Sequence, residues 1–535
     1  MDFQRLNGYG TNTRLGVRLF PASEEPWRLA FRASIPGRPV IEAIRIVDPR
    51  EPLPDDPEPT PQRAAIVGVA PCGADCDDAA TILAAITEAA AGPIEVRLDG
   101  VYTLRTSLVI RRPWVHLTGG TVVWDPAQDQ SWDQAIRFTG GGPLGEPLPM
   151  RRGGEWSNEF HLEAPEGWSP GYVLYEDDDY GEVPPPCANG RDVERLVRHI
   201  HQLLRVRSLE RVGDTTQLTT DGRVFLGYSE GDGGNPRLTD VDLLEGARVS
   251  DLHLVAACPE ALEHDAFGSP DCTNPGVVDD RGIVFAWTVG ARADRVSTQA
   301  FGKEAIVVER ALETRVVDCQ MDHPARYGSG GQGYGVHTLW ASRTLIRGQR
   351  VEHARHGVVV DFGSSETQIL DGHFSDMNQA LIDVHGEASR DTLIRGNTLR
   401  NGQQGVIVGG GGHEVHCNDG PHHYIQYNSI EDCRLAGISV SDYTRRVYAW
   451  FNDVRDGAVH VAAAFGAGDV TVYRNRFGPS SALAINLLGE NTSEVSIREN
   501  LFETVCDEES AVLVAAGAEA PELNDNVWCP EELDE

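Results

Sequence analysis

TLIRGNTLRNGQQGVIV (residues 392–408) and YIQYNSIEDCRLAGISV (424–440) share one plan. A short β-branched run leads to an asparagine turn, a second short run, a bend and a third apolar run. Variants of this plan recur from about residue 248 to 526, and one turn position is filled in order by Gln349, His373, Asn397, Asn428, Asn452, Asn475 and Asn500. The gaps between them are 24, 24, 31, 24, 23 and 25 residues. A repeat of this length, made of strands too short to bury a face alone, is one coil of a solenoid. Stacked asparagines can hydrogen-bond from coil to coil, and they tolerate left-handed turns. The long gap marks an inserted loop, GGGGHEVHCNDGPHH (409–423).

Upstream, the segment DDAATILAAITEAAAGP (77–93) reads as a short helix. Asp77 or Asp78 caps it, Ile82, Leu83 and Ile86 form its apolar stripe, and Gly92-Pro93 ends it. The short strands IEVRL, YTLRTSLVI and VHLTGGTVVW follow. Five segments are expected: a β-rich extension over 1–48, a proline-rich linker over 49–62, a capping helix with first coils over 63–140, an insertion over 141–247, and the main solenoid over 248–530. The insertion is rich in Gly and Pro, with RDVERLVRHIHQLLRV (191–206) as its one helical segment. Its acidic run EDDDYGE (176–182) could bind Ca²⁺, although the spacing matches no known calcium loop and a solvated loop is the plainer reading.

The 535 residues carry a net charge of −35, which argues against a nucleic-acid or anionic membrane partner. No apolar run approaches the roughly 18 residues of a membrane span. The opening stretch MDFQRLNGYGTNTRLG lacks the basic patch and apolar run expected of a signal peptide. Ten cysteines, with Cys72/Cys76 and Cys258/Cys272 closely spaced, are compatible with disulfides and a secreted or cell-surface protein. A monomer is expected.

The segment GADCDDAATILAAITEAAAGPIEVRLDGVYTL together with GYGVHTLWASRTLIRG, EHARHG and the asparagine-turn repeats resembles the right-handed parallel β-helix, pectate-lyase-like superfamily. The resemblance covers roughly residues 65–526. It implies an all-β right-handed parallel β-helix solenoid with an N-terminal capping helix. It also implies a polysaccharide as partner, without selecting a reaction, since the group contains lyases, hydrolases, epimerases and noncatalytic fibres.

Aligning coils on Ala305, Gly335, Gly357, Ala380 and Gly405 puts Lys303, Gly333, Arg355 and Asn378 in one column. Lys303 is the only lysine among 46 Lys+Arg. Glu304, Tyr334, His356 and Gln379 fill the next column, with His337, Asp361 and His385 close by. Residues 292–355 hold ten basic against seven acidic side chains, where an anionic ligand can bind despite the global charge. Lyases of this fold need a base, a cation for the enediolate and a proton donor. Lys303 is the candidate base, Arg355 the carboxylate clamp, His356 or His337 the acid or second base, and Tyr334 a rival for either role. His385, Asp361, Asp383 and Arg326 are candidate substrate-binding residues.

Other arrangements compete. Chance placement on the surface would explain Lys303 equally simply, and each histidine has a structural alternative. His413, His416, Cys417, His422 and His423 crowd the inserted loop and could hold zinc, although no standard finger spacing is present. A glycoside hydrolase needs two carboxylates about 5–9 Å apart. Asp361 and Asp383 are on adjacent coils, but the alignment sends them to opposite faces. No nucleotide-binding or nucleophile-elbow motif occurs. The leading expectation is a lyase acting on a uronate-containing glycan, with a hydrolase or a noncatalytic adhesion protein as alternatives; no cofactor is specified by a motif, and Ca²⁺ is a candidate.

Overall fold

The computed structural model describes residues 64–529 except 74–75, 127–132, 152–156, 178–199, 225–235, 259–279, 325–330, 386–388, 410–419 and 490–491, together with two short earlier strands. The chain divides into two units, Met1–Arg63 and Ala64–Glu535. In the first, Arg28–Leu29 pairs antiparallel with Ile44–Arg45.

The second unit is a parallel β-helix. Its coils lay down three long sheets of 14, 13 and 12 strands, and each strand pairs with its counterpart one coil away. Inward side chains form one continuous apolar core, from Ile82 and Leu98 at one end through Ile306, Val336, Val358 and Ile382 to Phe477 and Phe502 at the other. Each coil buries only a few apolar side chains of its own, so its stability comes from its neighbours above and below.

The turn between the first and second sheets shows why asparagine recurs. A residue in the left-handed region (Tyr427, Phe451, Arg474 and Glu499 on successive coils) precedes a buried asparagine. Left-handed backbone costs a non-glycine residue roughly 1–2 kcal/mol, and the asparagines offset that cost. Asn452 Nδ2 donates to the Ile425 carbonyl at 2.9 Å and to Asn475 Oδ1 at 3.0 Å, and its own Oδ1 accepts from the Asn428 backbone at 3.0 Å. The same set runs unbroken from Asn397 to Asn526. One coil departs from the expected spacing. The Gly372 N–H donates to Asn397 Oδ1, so Gly372 occupies the ladder position and His373 is the exposed first residue of the following strand.

The capping helix spans Asp78–Glu88, with Asp77 as its cap, accepting from the Ala79 N–H at 3.1 Å. Asp78 is buried instead and accepts from the backbones of Cys72 and Thr103, tying the helix to the first coils. Ile82 and Ile86 face the core, while Leu83 is exposed, since it lies about 100° round the helix from Ile82. Cys72–Cys76 and Cys506–Cys529 are disulfide-bonded, and Cys258 is also in a disulfide.

Strands Gly142–Arg151, Ser157–Leu162, Tyr172–Asp177, Ile200–Val212, Thr215–Val224 and Arg237–Asp242 close into a barrel. The segment expected to be helical is therefore a strand from Ile200 onward; 191–199 lies outside the described residues, as does 178–182 of the acidic run. Leu203 and Leu204 pair with Leu174 and Val173 on one neighbouring strand and Val206 with Thr220 on another, and this sheet pairing outweighs a helical spacing of leucines. Leu174, Leu203 and Val241 of the barrel pack on Val289 and Leu312 of the β-helix. Polar ties add to this contact: the Leu203 N–H donates to Ser342 Oγ at 3.1 Å, and Arg205 pairs with Glu313 at 2.7 Å. The barrel is thus docked beside the 12-stranded sheet, next to the ends of the strands that carry the polar cluster.

Asn452→Ala removes the amide that donates to the Ile425 carbonyl and to Asn475 Oδ1 and whose oxygen accepts from the Asn428 N–H. A loss of roughly 2–3 kcal/mol is expected, read as a lower urea midpoint, while exposed His373→Ala changes it little.

Candidate active site

The 12-stranded sheet contains Glu304–Glu309, Tyr334–Leu339, His356–Asp361 and Ile382–Val384 on successive coils. Its register aligns Glu304 with Tyr334 and His356, and Val307 with His337, Val359 and Asp383. Strand spacing of about 4.8 Å then brings the outward side chains of successive coils into contact.

They form one connected network. Arg281 Nε donates to Glu304 Oε2 at 2.7 Å. His337 spans two carboxylates, with Nδ1 at 3.1 Å from Glu304 Oε1 and Nε2 at 3.4 Å from Asp361 Oδ2. His385 joins Asp361 (3.7 Å) to Asp383 (2.9 Å). Asp383 in turn lies 3.4 Å from His356 Nδ1, which also donates to the Ala380 carbonyl at 3.1 Å. Tyr334 sits between the two buried histidines, its ring edge-on to His337 and to His356, each with centroids 5.2 Å apart. The Arg355 guanidinium lies 5.8 Å from the centre of the Tyr334 ring and donates to Gln379 Oε1 at 3.0 Å. Lys303 is buried just before Glu304; its carbonyl accepts from the Tyr334 N–H at 2.9 Å.

Environment separates the protonation states of these groups. Burial alone would depress His337, but its hydrogen bonds to Asp361 and Glu304, with their charges, raise it above the ordinary histidine value. Burial would raise Glu304; the His337 hydrogen bond and the charges of Arg281 and Lys303 hold it below the usual carboxylate range instead. His356 is pushed by burial down to about 4, with Arg355 and His385 adding to the effect against the opposing pull of Asp383. Burial raises Tyr334, so it keeps its phenolic proton. The site therefore pairs an imidazolium, His337, with a neutral imidazole, His356. Because His356 Nδ1 donates to Ala380, its Nε2 carries the lone pair.

Of the sequence candidates, Lys303, Tyr334, His337, Arg355, His356, Asp361, Asp383 and His385 come together here. Arg326 lies outside the described residues. Asp361 and Asp383 share a face, contrary to the sequence alignment: the coil with Asp383 is displaced by one residue, with Gly357 bonded to Leu381 rather than matched to Ala380. The same shift puts Gln379, not Asn378, beside Arg355. In the inserted loop, His413, His416 and Cys417 lie outside the described residues. His422 turns to Asp391 (3.3 Å) and His423 to the Gly420 carbonyl (2.7 Å), with burial pushing His423 down to about 4.

Sequence reasoning missed Arg281, which stands one coil before Glu304 in the same register; the stretch 259–279 breaks the repeat just ahead of it. It also missed a wall beside the network, where Arg310 lies 4.0 Å over Trp340 and Trp340 stacks on Phe362.

Comparison with known proteins agrees with this architecture. Residues 384–527 match the family described as right handed beta helix region. The chain has the fold of a right-handed parallel β-helix. Among solved structures, it is similar to the tailspike Gp54 of Acinetobacter baumannii bacteriophage AP22, solved in complex with A. baumannii capsular saccharide. The identity is 8%, the TM-score 0.53, and 84% of this chain and 72% of that one are covered. The A-module of the Azotobacter vinelandii mannuronan C-5 epimerase AlgE6 gives 12% identity and a TM-score of 0.49, covering 85% of this chain and 96% of that one. PfbA, a surface adhesin of Streptococcus pneumoniae, gives 10% and 0.37, covering 87% and 93%. No curated protein matches the sequence.

The two buried histidines predict opposite pH effects on stability. His356 resists protonation when folded, so its contribution is lost as pH falls from about 6.5 through about 4. His337 binds its proton more tightly when folded, so its contribution is complete below about 6.5 and lost as pH rises through its raised value. Melting temperatures followed against pH should show His356→Gln flattening the acid limb and His337→Gln the alkaline limb.

Proposed function

We propose that the chain is a carbohydrate-active enzyme that takes the C5 proton from a uronate residue of an anionic polysaccharide and eliminates the 4-linked oxygen. The observation that carries this reading is the Tyr334 phenol held between neutral His356 and protonated His337, with Lys303 and Arg355 flanking that row. Abstraction beside a carboxylate requires a neutral base and fixed positive charge for the developing enediolate. His356 Nε2 supplies the base. Arg355, whose fork can grip a carboxylate in two bonds, and Lys303 supply the charge. Tyr334 keeps its proton until the leaving oxygen needs it.

This assignment favours His356 over Lys303 as base, because the Lys303 charge already helps hold Glu304 ionised. The Glu304–His337–Asp361 chain keeps His337 charged and its ring fixed. A hydrolase reading is less well supported. Asp361 and Asp383 do share a face, but each is engaged with histidines rather than left across an open gap for a sugar and water. The disulfides support an exported protein.

Acidic and neutral polysaccharides incubated with the protein decide among the readings. Elimination gives a new reducing end and an ultraviolet-absorbing unsaturated sugar; reducing ends alone indicate hydrolysis. Altered uronate composition without cleavage indicates that the carbanion is reprotonated, and binding without chemistry an adhesion protein. On the active substrate, His356→Ala and Tyr334→Phe should each lower kcat about 10²–10⁴-fold. Lys303→Arg, which keeps charge, should retain most of kcat; its complete loss would return the base role to Lys303. The acid limb of kcat/KM should lie near the free-enzyme value of His356, about 4.

A further inference from the structure

Seven successive strands of the 13-stranded sheet, from Ser297–Gln299 to Asp453–Arg455, end in a left-handed residue as the chain bends toward the next strand of the 12-stranded sheet. On successive coils this residue is Ala300, His323, His353, Asp376, Asn401, Asp432 and Asp456, with φ between 46° and 63°. Aspartate and asparagine serve this backbone conformation on four of these coils, so the turn itself does not call for histidine. Two histidines nevertheless follow one another, and beside them lies the carboxylate of Asp322.

Their geometry converges on one point. His323 Nδ1 is 2.6 Å and His353 Nδ1 3.0 Å from the same oxygen, Asp322 Oδ1. The two rings stack with centroids 4.3 Å apart and 27° between planes. One ligand atom from each of the three residues can be chosen so that all lie within 4.8 Å of one another. Ligands about 2.0–2.2 Å from a tetrahedral zinc ion sit ~3.4 Å apart, so small side-chain rotations open the cluster enough to admit an ion. The side chains are 33%, 16% and 37% exposed for Asp322, His323 and His353, leaving solvent access for an ion and for a water completing its shell.

We propose that Asp322, His323 and His353 form a binding site for a borderline transition-metal ion of the zinc class. Two imidazoles and one carboxylate suit such an ion, whereas calcium and magnesium take oxygen ligands. The ion would join two successive turns. The second of these, at His353, runs directly into Ala354, Arg355 and His356; Asp322 and Ala354 also line a small cavity with Tyr334. Metal binding would thereby hold in place the backbone leading into the polar cluster without contacting substrate. The site stands independently of the uronate reading.

The test uses the full chain, treated with chelator and titrated with Zn²⁺ by calorimetry, with Co²⁺ absorption as a second signal. One equivalent should bind, the visible Co²⁺ bands should gain intensity over those of the aqueous ion as expected for a low-coordinate protein site, and the melting temperature should rise. Asp322→Asn and His353→Ala should each weaken binding about tenfold or more and abolish the thermal shift, whereas His416→Ala in the other histidine-rich segment should leave both unchanged. Should circular dichroism show that His353→Ala is misfolded, His353→Gln replaces it. Absence of binding to the wild type, undiminished binding in the Asp322 and His353 variants, or loss of binding in His416→Ala would each overturn the proposal.

Discussion

The polar cluster depends on the parallel register of adjacent coils. Backbone hydrogen bonds hold Glu304, Tyr334 and His356 side by side, and likewise Val307, His337, Val359 and Asp383. A β-helix therefore builds a site from residues some 22 to 30 apart in sequence but only a strand spacing apart in space. Inward positions must be apolar to fill the core, and outward positions are free to carry charge. Along Glu304–Glu309, Ile306 and Val308 serve the first requirement while Glu304 meets the second.

Burial of so many ionisable groups is costly unless each has partners. Here the cost is met by alternation: Arg281, Glu304, His337, Asp361, His385, Asp383 and His356 run in sequence, with basic groups between acidic ones. The two histidines at the centre consequently differ. His337 has a carboxylate on each side and stays charged, whereas His356 gives its Nδ1 proton partly to a neutral carbonyl, lies near Arg355 and stays neutral. Two like residues separated in protonation state are what acid–base chemistry at one site requires.

Much of this organisation was legible in the chain. The period of asparagine turns identified the solenoid, because only stacked coils repeat a turn residue at such spacing. The column containing Lys303 and Arg355, and the one containing Tyr334 and His356, were recovered on their correct coils. The errors arose where the period changes. A one-residue displacement at the coil of Asp383 was enough to send that carboxylate to the wrong face on paper, since side chains alternate every residue. Likewise His373 took the place of Gly372 in the ladder, because glycine has no side chain to mark the position.

By itself, the sequence determined the class of fold, the capping helix and the stretch of coils where polar groups gather. These follow from local periodicity and turn chemistry, which each short segment expresses independently. Tertiary structure decided what periodicity cannot carry: the register between coils, the contact of His337 with two carboxylates, the neutral state of His356 and the closure of residues 142–242 into a barrel docked beside them. Those properties depend on distance and burial between residues remote in the chain, and both exist only once the coils have stacked.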